Sequence, residues 1–293
     1  MTIQEALERA KRLRKERLQE QATNPEQALG VVAAASLEAF RPTVPAPRPT
    51  PVPVKFEPLA AIGISNEACA RHRVLLSGEL QREFPQADAA YRLIRGKMRQ
   101  RMQRGGWSTL AVSSPRQDDG KTVTTLNLAL SMAREKQRPV YVVDLDMRNP
   151  SVDRYLGLDE HRSITEYFTG QAEAAEVLYQ TPVPFLFVAC AREKMDGASE
   201  LLAGPKLEEL LAHIRARSPD ATVLVDLPPV NVTDEALVVA PRVDAVLVVV
   251  SEGRTQRDDL SRTLSALSDF PVAGVVINRS SEHHADYYDQ PRA

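Results

Sequence analysis

The chain has 293 residues, 43 % hydrophobic and 26 % charged, enough for one sizeable core or two modest ones at roughly 150 residues per domain. Lys and Arg number 37 against 39 Asp and Glu, and the net charge of −2 excludes a global field toward nucleic acid or an anionic membrane. The two cysteines, Cys69 and Cys190, stand outside any CxxC or Cys/His spacing, which argues against structural zinc or a disulfide framework and fits a reducing compartment.

No run reaches the roughly 18 apolar residues that a membrane helix needs; the richest, from Ala236 to Val250, is broken by Pro241, Arg242 and Asp244. The opening MTIQEALERAKRLRK has no apolar core region and no small-residue cleavage site, so it does not read as a secretory signal. From Thr2 to about Glu20, Ile3, Leu7, Ala10, Leu13 and Leu18 recur at near-helical spacing among basic residues. This predicts a short amphipathic helix within an N-terminal segment 1–40. Between Arg41 and Pro58, seven of eighteen residues are proline, which forbids a helix or central strand and predicts an extended tether. Residues 59–85 read as a connecting segment, and 86–282 as the main domain.

After Trp107 the texture changes to short apolar runs: TLAVSS, PVYVVD, PFLFVA, TVLVD, DAVLVVV and VAGVVIN. Runs apolar on both faces are the strands of a covered parallel sheet. With helical patterns at 122–136 and 201–217 between them, the reading is an α/β fold with a doubly wound, mostly parallel sheet. Ligands of such sheets bind at the C-terminal ends of the strands.

The first of these runs is followed by Pro115-Arg116-Gln117-Asp118-Asp119-Gly120-Lys121-Thr122 and then a helix beginning near Val123. The GK[ST] ending predicts a phosphate-binding loop. Backbone N–H groups across Asp119, Gly120, Lys121, Thr122 and Val123 would face the phosphates, Lys121 would neutralise their charge, and the Thr122 hydroxyl would ligate Mg²⁺. Pro115 replaces the usual first glycine, and Asp118 and Asp119 place carboxylates where a polyanion is expected, opposing the nucleotide unless they point outward. The second run ends in Asp144-Leu145-Asp146, two carboxylates at alternate positions that project to one side. The run Val223–Val225 ends in Asp226 before Pro228-Pro229, matching a metal-organising acid of nucleotide hydrolases and kinases. Asp144 and Asp146 could serve one metal or one proton-donating hydroxyl, so Lys121, Asp144, Asp146 and Asp226 form the candidate catalytic set, with Thr122, Asp146 and Asp226 as candidate metal ligands.

The order GKT…VVDLDMRNPSV…VLVDLPPV…TDEALVVAPRVDAVLVVVSEGRT…GVVINR resembles the bacterial tyrosine kinases of capsule and exopolysaccharide loci, related to the ParA/MinD P-loop ATPases. The resemblance implies ATP and Mg²⁺ as cofactors, with Lys121 and Thr122 in Walker A, Asp144 and Asp146 in Walker A′, and Asp226 in Walker B. It places a base-contacting asparagine at Asn278 and the second P-loop cation of the ParA relatives at Arg116. It gives Asp144 the task of orienting the acceptor phenol, and makes the tail 283–293, with Tyr287 and Tyr288, the phosphoacceptor segment; His283 and His284 read as solvated residues. It also implies an oligomerisation helix carrying Arg92 and Arg95, where Ala89 stands in place of the family's glutamate.

Together these features predict a cytoplasmic tyrosine autokinase that regulates exopolysaccharide polymerisation or export. It would be a homo-oligomer activated by the cytosolic end of a membrane-embedded chain-length regulator, peripheral to the inner membrane through that partner, and free of nucleic acid. The rival readings are a ParA/MinD-like ATPase switch and a non-catalytic scaffold. Replacing Lys121 is expected to abolish transfer and leave the fold intact.

Overall fold

The computed structural model describes residues 58–280. The N-terminal helix, the tether up to residue 57, and the tail with His283, His284, Tyr287 and Tyr288 lie outside the described residues.

The strands are β1 (Ala60–Ala61), β2 (Thr109–Ser113), β3 (Val140–Asp144), β4 (Tyr179–Gln180), β5 (Leu186–Ala189), β6 (Thr222–Asp226), β7 (Ala245–Ser251) and β8 (Val272–Asn278). They form one sheet in the order β1-β4-β5-β3-β6-β2-β7-β8. All pairs are parallel except β4 with β5. Each of the six apolar runs forms a strand; in the inner strands alternate residues bury on opposite faces, whereas β8, expected to be covered, lies at the sheet edge with Val275 and Ile277 exposed. Tyr141, Val143, Val223, Val225, Val246 and Val248 enter one core, and Val140, Val142, Leu224 and Leu247 enter the other. Burial of such a side chain contributes about 1.5–3 kcal/mol.

The helices are α1 (Asn66–Arg71), α2 (Gly78–Glu83), α3 (Pro85–Gly105), α4 (Lys121–Ala133), α5 (Val152–Leu156), α6 (Ile164–Phe168), α7 (Ala174–Val177), α8 (Ala198–Ala203), α9 (Lys206–Arg217), α10 (Glu235–Val239) and α11 (Arg257–Ala266). Helix α3 starts with Pro85 in its first turn, where the missing N–H costs nothing, and stops at Gly106 in the left-handed region. Its Met98 and Met102 are buried in the second core, with Tyr91 and Ile94 packed against it.

Three other expectations change. Residues 59–85, expected as a connecting segment, supply β1 at the sheet edge and helices α1 and α2. The helix expected over 201–217 is two, because Gly204 is extended, at ψ 176°, and Pro205 restarts the chain as the N-cap of α9. Helix α3, expected to offer Arg92 and Arg95 for oligomerisation, turns its cations in part onto this chain. Arg95 donates to the Ser131 carbonyl at 2.9 Å, Arg99 pairs with Glu135 at 2.6 Å, and Arg101 donates to the Ala273 carbonyl. Arg92 stays on the surface, 3.5 Å from Asp88.

Candidate active site at the phosphate-binding loop

After β2 the chain runs to β3 on one side of β6, and after β6 it runs to β7 on the far side of β2. This reversal opens a crevice at the C-terminal ends of the central strands. The 115–120 turn fills its mouth and delivers the chain into α4. Gly120, at φ 96°, is the N-cap of α4, and no side chain caps the helix. The first N–H groups of an α-helix have no partner within it, and the helix dipole adds positive potential there. A Cβ on residue 120 would fall 1.9 Å from Asn278 Nδ2, so only glycine permits both the turn and this approach.

The two acids of the loop separate. Asp118 is exposed, at φ 64°. Asp119 is buried, and its carboxylate folds back into the loop, where it accepts from the Arg116 N–H at 3.0 Å and the Thr255 hydroxyl at 2.8 Å. Neither blocks the helix terminus: one points to water, and the other supports the turn. Asn278 donates its amide to the Asp119 carbonyl at 3.0 Å. Arg116 lies over the surface, 3.5 Å from Asp259 of α11.

Inside the crevice, Lys121 is 8 % exposed. Its Nζ lies 2.6 Å from Asp146 and 3.4 Å from Asp226. Burial alone would lower its pKa, but the charges of Asp226 and Asp146 outweigh this and hold the proton more tightly than in water. The Thr122 hydroxyl donates to Asp226 at 2.6 Å and lies 3.0 Å from the Ser151 hydroxyl. The other Asp226 oxygen lies 3.2 Å from the Thr125 hydroxyl.

Asp144 and Asp226 are register partners at the ends of β3 and β6, so two carboxylates stand side by side. Burial pushes both above the usual carboxylate range, and for Asp144 the neighbouring Asp226 charge adds to it. Strand β3 ends at Asp144, and the two acids take different partners. One Asp144 oxygen accepts from the Asp146 N–H at 3.1 Å; the other accepts from the Ser151 and Val152 N–H groups at 3.3 and 3.1 Å. Asp144 therefore ties the loop between β3 and α5, while Asp146 reaches Lys121. Val123 follows at the first turn of α4, half-buried.

Lys121, Thr122, Asp144, Asp146 and Asp226 meet in this crevice, and Asn278, Asp119 and Arg116 support or flank its loop. Arg92 and Arg95 lie on α3. Ser151, Thr125 and Thr255 are additional members. Thr125 was legible as one α-helical turn beyond Lys121, but nothing local marks the other two. Arg148, in the loop after β3, pairs with Glu235, which is wholly buried at the start of α10.

The donor set suits a triphosphate with a hard cation. It offers an uncapped helix terminus, a buried ammonium, a hydroxyl and carboxylates. Mg²⁺ takes one or two carboxylates beside substrate phosphates rather than a protein-only cage. Among the described residues no group of three or more His, Cys, Asp or Glu forms such a cage.

Comparison with known proteins bears on the same residues. The chain is 29 % identical over 169 residues to the tyrosine-protein kinase ptk of Acinetobacter johnsonii, covering 58 % of this chain and 22 % of that one. It is 25 % identical over 183 residues to the tyrosine-protein kinase CpsD of Streptococcus agalactiae serotype Ia, covering 61 % and 78 %. It is 27 % identical over 184 residues to the succinoglycan biosynthesis transport protein ExoP of Rhizobium meliloti, covering 61 % and 23 %. The chain thus spans less than a quarter of ptk and ExoP but most of CpsD. The solved kinase domain of VpsO superposes with a TM-score of 0.61 at 24 % identity, over 68 % of this chain and 98 % of that one, a likeness of fold. The ParA profile, described as NUBPL iron-transfer P-loop NTPase, matches residues 107–288. By that match, over more than half of its length, the chain belongs to the ParA family of P-loop NTPases.

Proposed function

We propose that the chain is a protein-tyrosine autokinase that takes the γ-phosphoryl group of ATP and transfers it to Tyr287 and Tyr288, in the control of capsule or exopolysaccharide synthesis. The observation that carries this reading is the convergence of Lys121, Thr122, Asp146 and Asp226 at an uncapped helix terminus. The names of the relatives, tyrosine-protein kinase and succinoglycan biosynthesis transport protein, support a tyrosine acceptor and a polysaccharide setting.

Phosphoryl transfer demands positioning and charge neutralisation more than covalent work by the protein. The N–H groups at the start of α4 bind phosphate oxygens. Lys121 moves its charge from Asp146 and Asp226 to the phosphates. Thr122, Asp146 and Asp226 would hold Mg²⁺, which supplies charge neutralisation on the phosphates when bound. Asp144 has the raised proton affinity of a base for the acceptor phenol. The proposed partner is the cytosolic end of a membrane-embedded chain-length regulator, which would place the kinase at the membrane from the cytoplasm; Arg92, on the surface of α3, is the proposed subunit contact, and Arg95 would have to leave Ser131 and Glu135 of its own chain to join it. Among the described residues no helix is long and apolar enough to cross a membrane.

One observation favours a second reading, a ParA-like hydrolytic switch: both oxygens of Asp144 are held by backbone N–H groups within the chain. Incubation with γ-labelled ATP and Mg²⁺ decides between them. The kinase reading expects label on the protein, lost in Lys121→Met and largely lost in the Tyr287→Phe/Tyr288→Phe double variant. Release of free phosphate with an unlabelled tail would replace it with the switch.

A further inference from the structure

A cavity of about 360 Å³ opens at the end of the sheet opposite the phosphate-binding loop, within the range of small-molecule sites. It lies between the C-terminal ends of α3 and α4 and the first residues of β3 and β6. These elements carry Lys121, Asp144 and Asp226 at their other ends. Helix α4 alone, at 13 residues, separates the two places by about 20 Å. The cavity therefore belongs to neither the nucleotide nor the acceptor.

Its lining has two parts. Met102 and Met132, both buried, and the half-buried Trp107 give apolar and aromatic surface, suited to a flat ring through stacking and sulfur contacts. The charged part is Arg99, Glu135 and Arg138. Glu135 is neutralised twice, by Arg99 at 2.6 Å and by Arg95 at 3.0 Å. Arg99 is occupied by this pair and by Gln137 at 2.9 Å. Arg138 is exposed and makes no ion pair among the described residues. Among the described residues the cavity thus holds one guanidinium without an ion pair, beside an aromatic wall.

We propose that this cavity is a second ligand site, separate from the phosphate-binding loop, for a small planar aromatic anion whose ring lies against Trp107 and the two methionines and whose acid group pairs with Arg138. Arg138 would bind a carboxylate with charge-assisted, bidentate geometry. Occupancy there does not require nucleotide.

Trp107 is the chain's only tryptophan, so its indole N–H gives one identifiable resonance in a ¹H–¹⁵N spectrum of the full-length protein. Titration with 2-naphthoate should shift that resonance saturably. The neutral isostere 2-naphthamide should bind about tenfold or more weakly, and so should 2-naphthoate to the Arg138→Gln variant, with Arg138→Lys recovering part of the loss. Arg138 is exposed and has no role in the phosphate-loop site, so its variants keep the fold, which the rest of the spectrum verifies. A resonance that does not move to saturation would overturn the proposal. Equal affinity for acid and amide, or an unaffected Arg138→Gln, would do the same.

Discussion

Replacing Gly120 with alanine tests how the phosphate-binding loop is seated. At φ 96° an L-residue pays the left-handed backbone cost, about 1–2 kcal/mol. The new methyl group would also stand 1.9 Å from Asn278 Nδ2 and 3.1 Å from its Cγ. The Asn278 amide must therefore withdraw by more than an ångström, and its 3.0 Å bond to the Asp119 carbonyl is lost, at about 0.5–1.5 kcal/mol. The expected destabilisation is about 1.5–3.5 kcal/mol, the sum of the two. In an Asn278→Ala background the steric part is already gone, so Gly120→Ala should then cost only the backbone part. The coupling between the two sites should be about 1 kcal/mol in a double-mutant cycle. Urea unfolding followed by Trp107 fluorescence measures all four proteins. Strict additivity would show that Asn278 does not press on the loop, and a neutral Gly120→Ala would show that the turn is not left-handed.

Further outcomes follow from the buried charges. Lys121→Met removes the counterion of Asp146 and Asp226, so in addition to losing transfer it should lower the stability of the free protein by about 3–5 kcal/mol near neutral pH; a urea midpoint equal to that of the parent would contradict the pairing. This differs from the expectation, drawn from sequence, that the lysine is dispensable to the fold. Asp144 has a folded-state pKa above its unfolded value, so its favourable contribution is present below the unfolded pKa and is lost as pH rises through the folded one. The stability of the parent relative to Asp144→Asn should accordingly fall as pH rises from the unfolded carboxylate pKa through the higher folded one, and a difference independent of pH would refute the raised affinity.

The strands were legible because a parallel strand covered on both faces is apolar at every position, and six apolar runs stand out between polar segments; the last of them, β8, is an edge strand that leaves Val275 and Ile277 exposed. The phosphate-binding loop was legible because GKT lies between one such run and a helical pattern. Helix breaking at Gly204-Pro205 was legible too, but periodicity over a longer window concealed it. The short strands β1 and β4 carry too few residues to show a period and exist only through their partners.

Within the site, sequence determined which acids stand at the ends of strands, since an apolar run must stop where the chain leaves the sheet. It did not determine what each acid does. Asp118 and Asp119 are neighbours, yet one meets water and the other meets Thr255, 136 positions away. Asp144 and Asp146 share a strand-end pattern, yet one holds backbone N–H groups and the other holds Lys121. Such choices depend on which groups the completed fold brings within hydrogen-bonding distance. Local pattern set the positions of the charges, and tertiary structure set their partners.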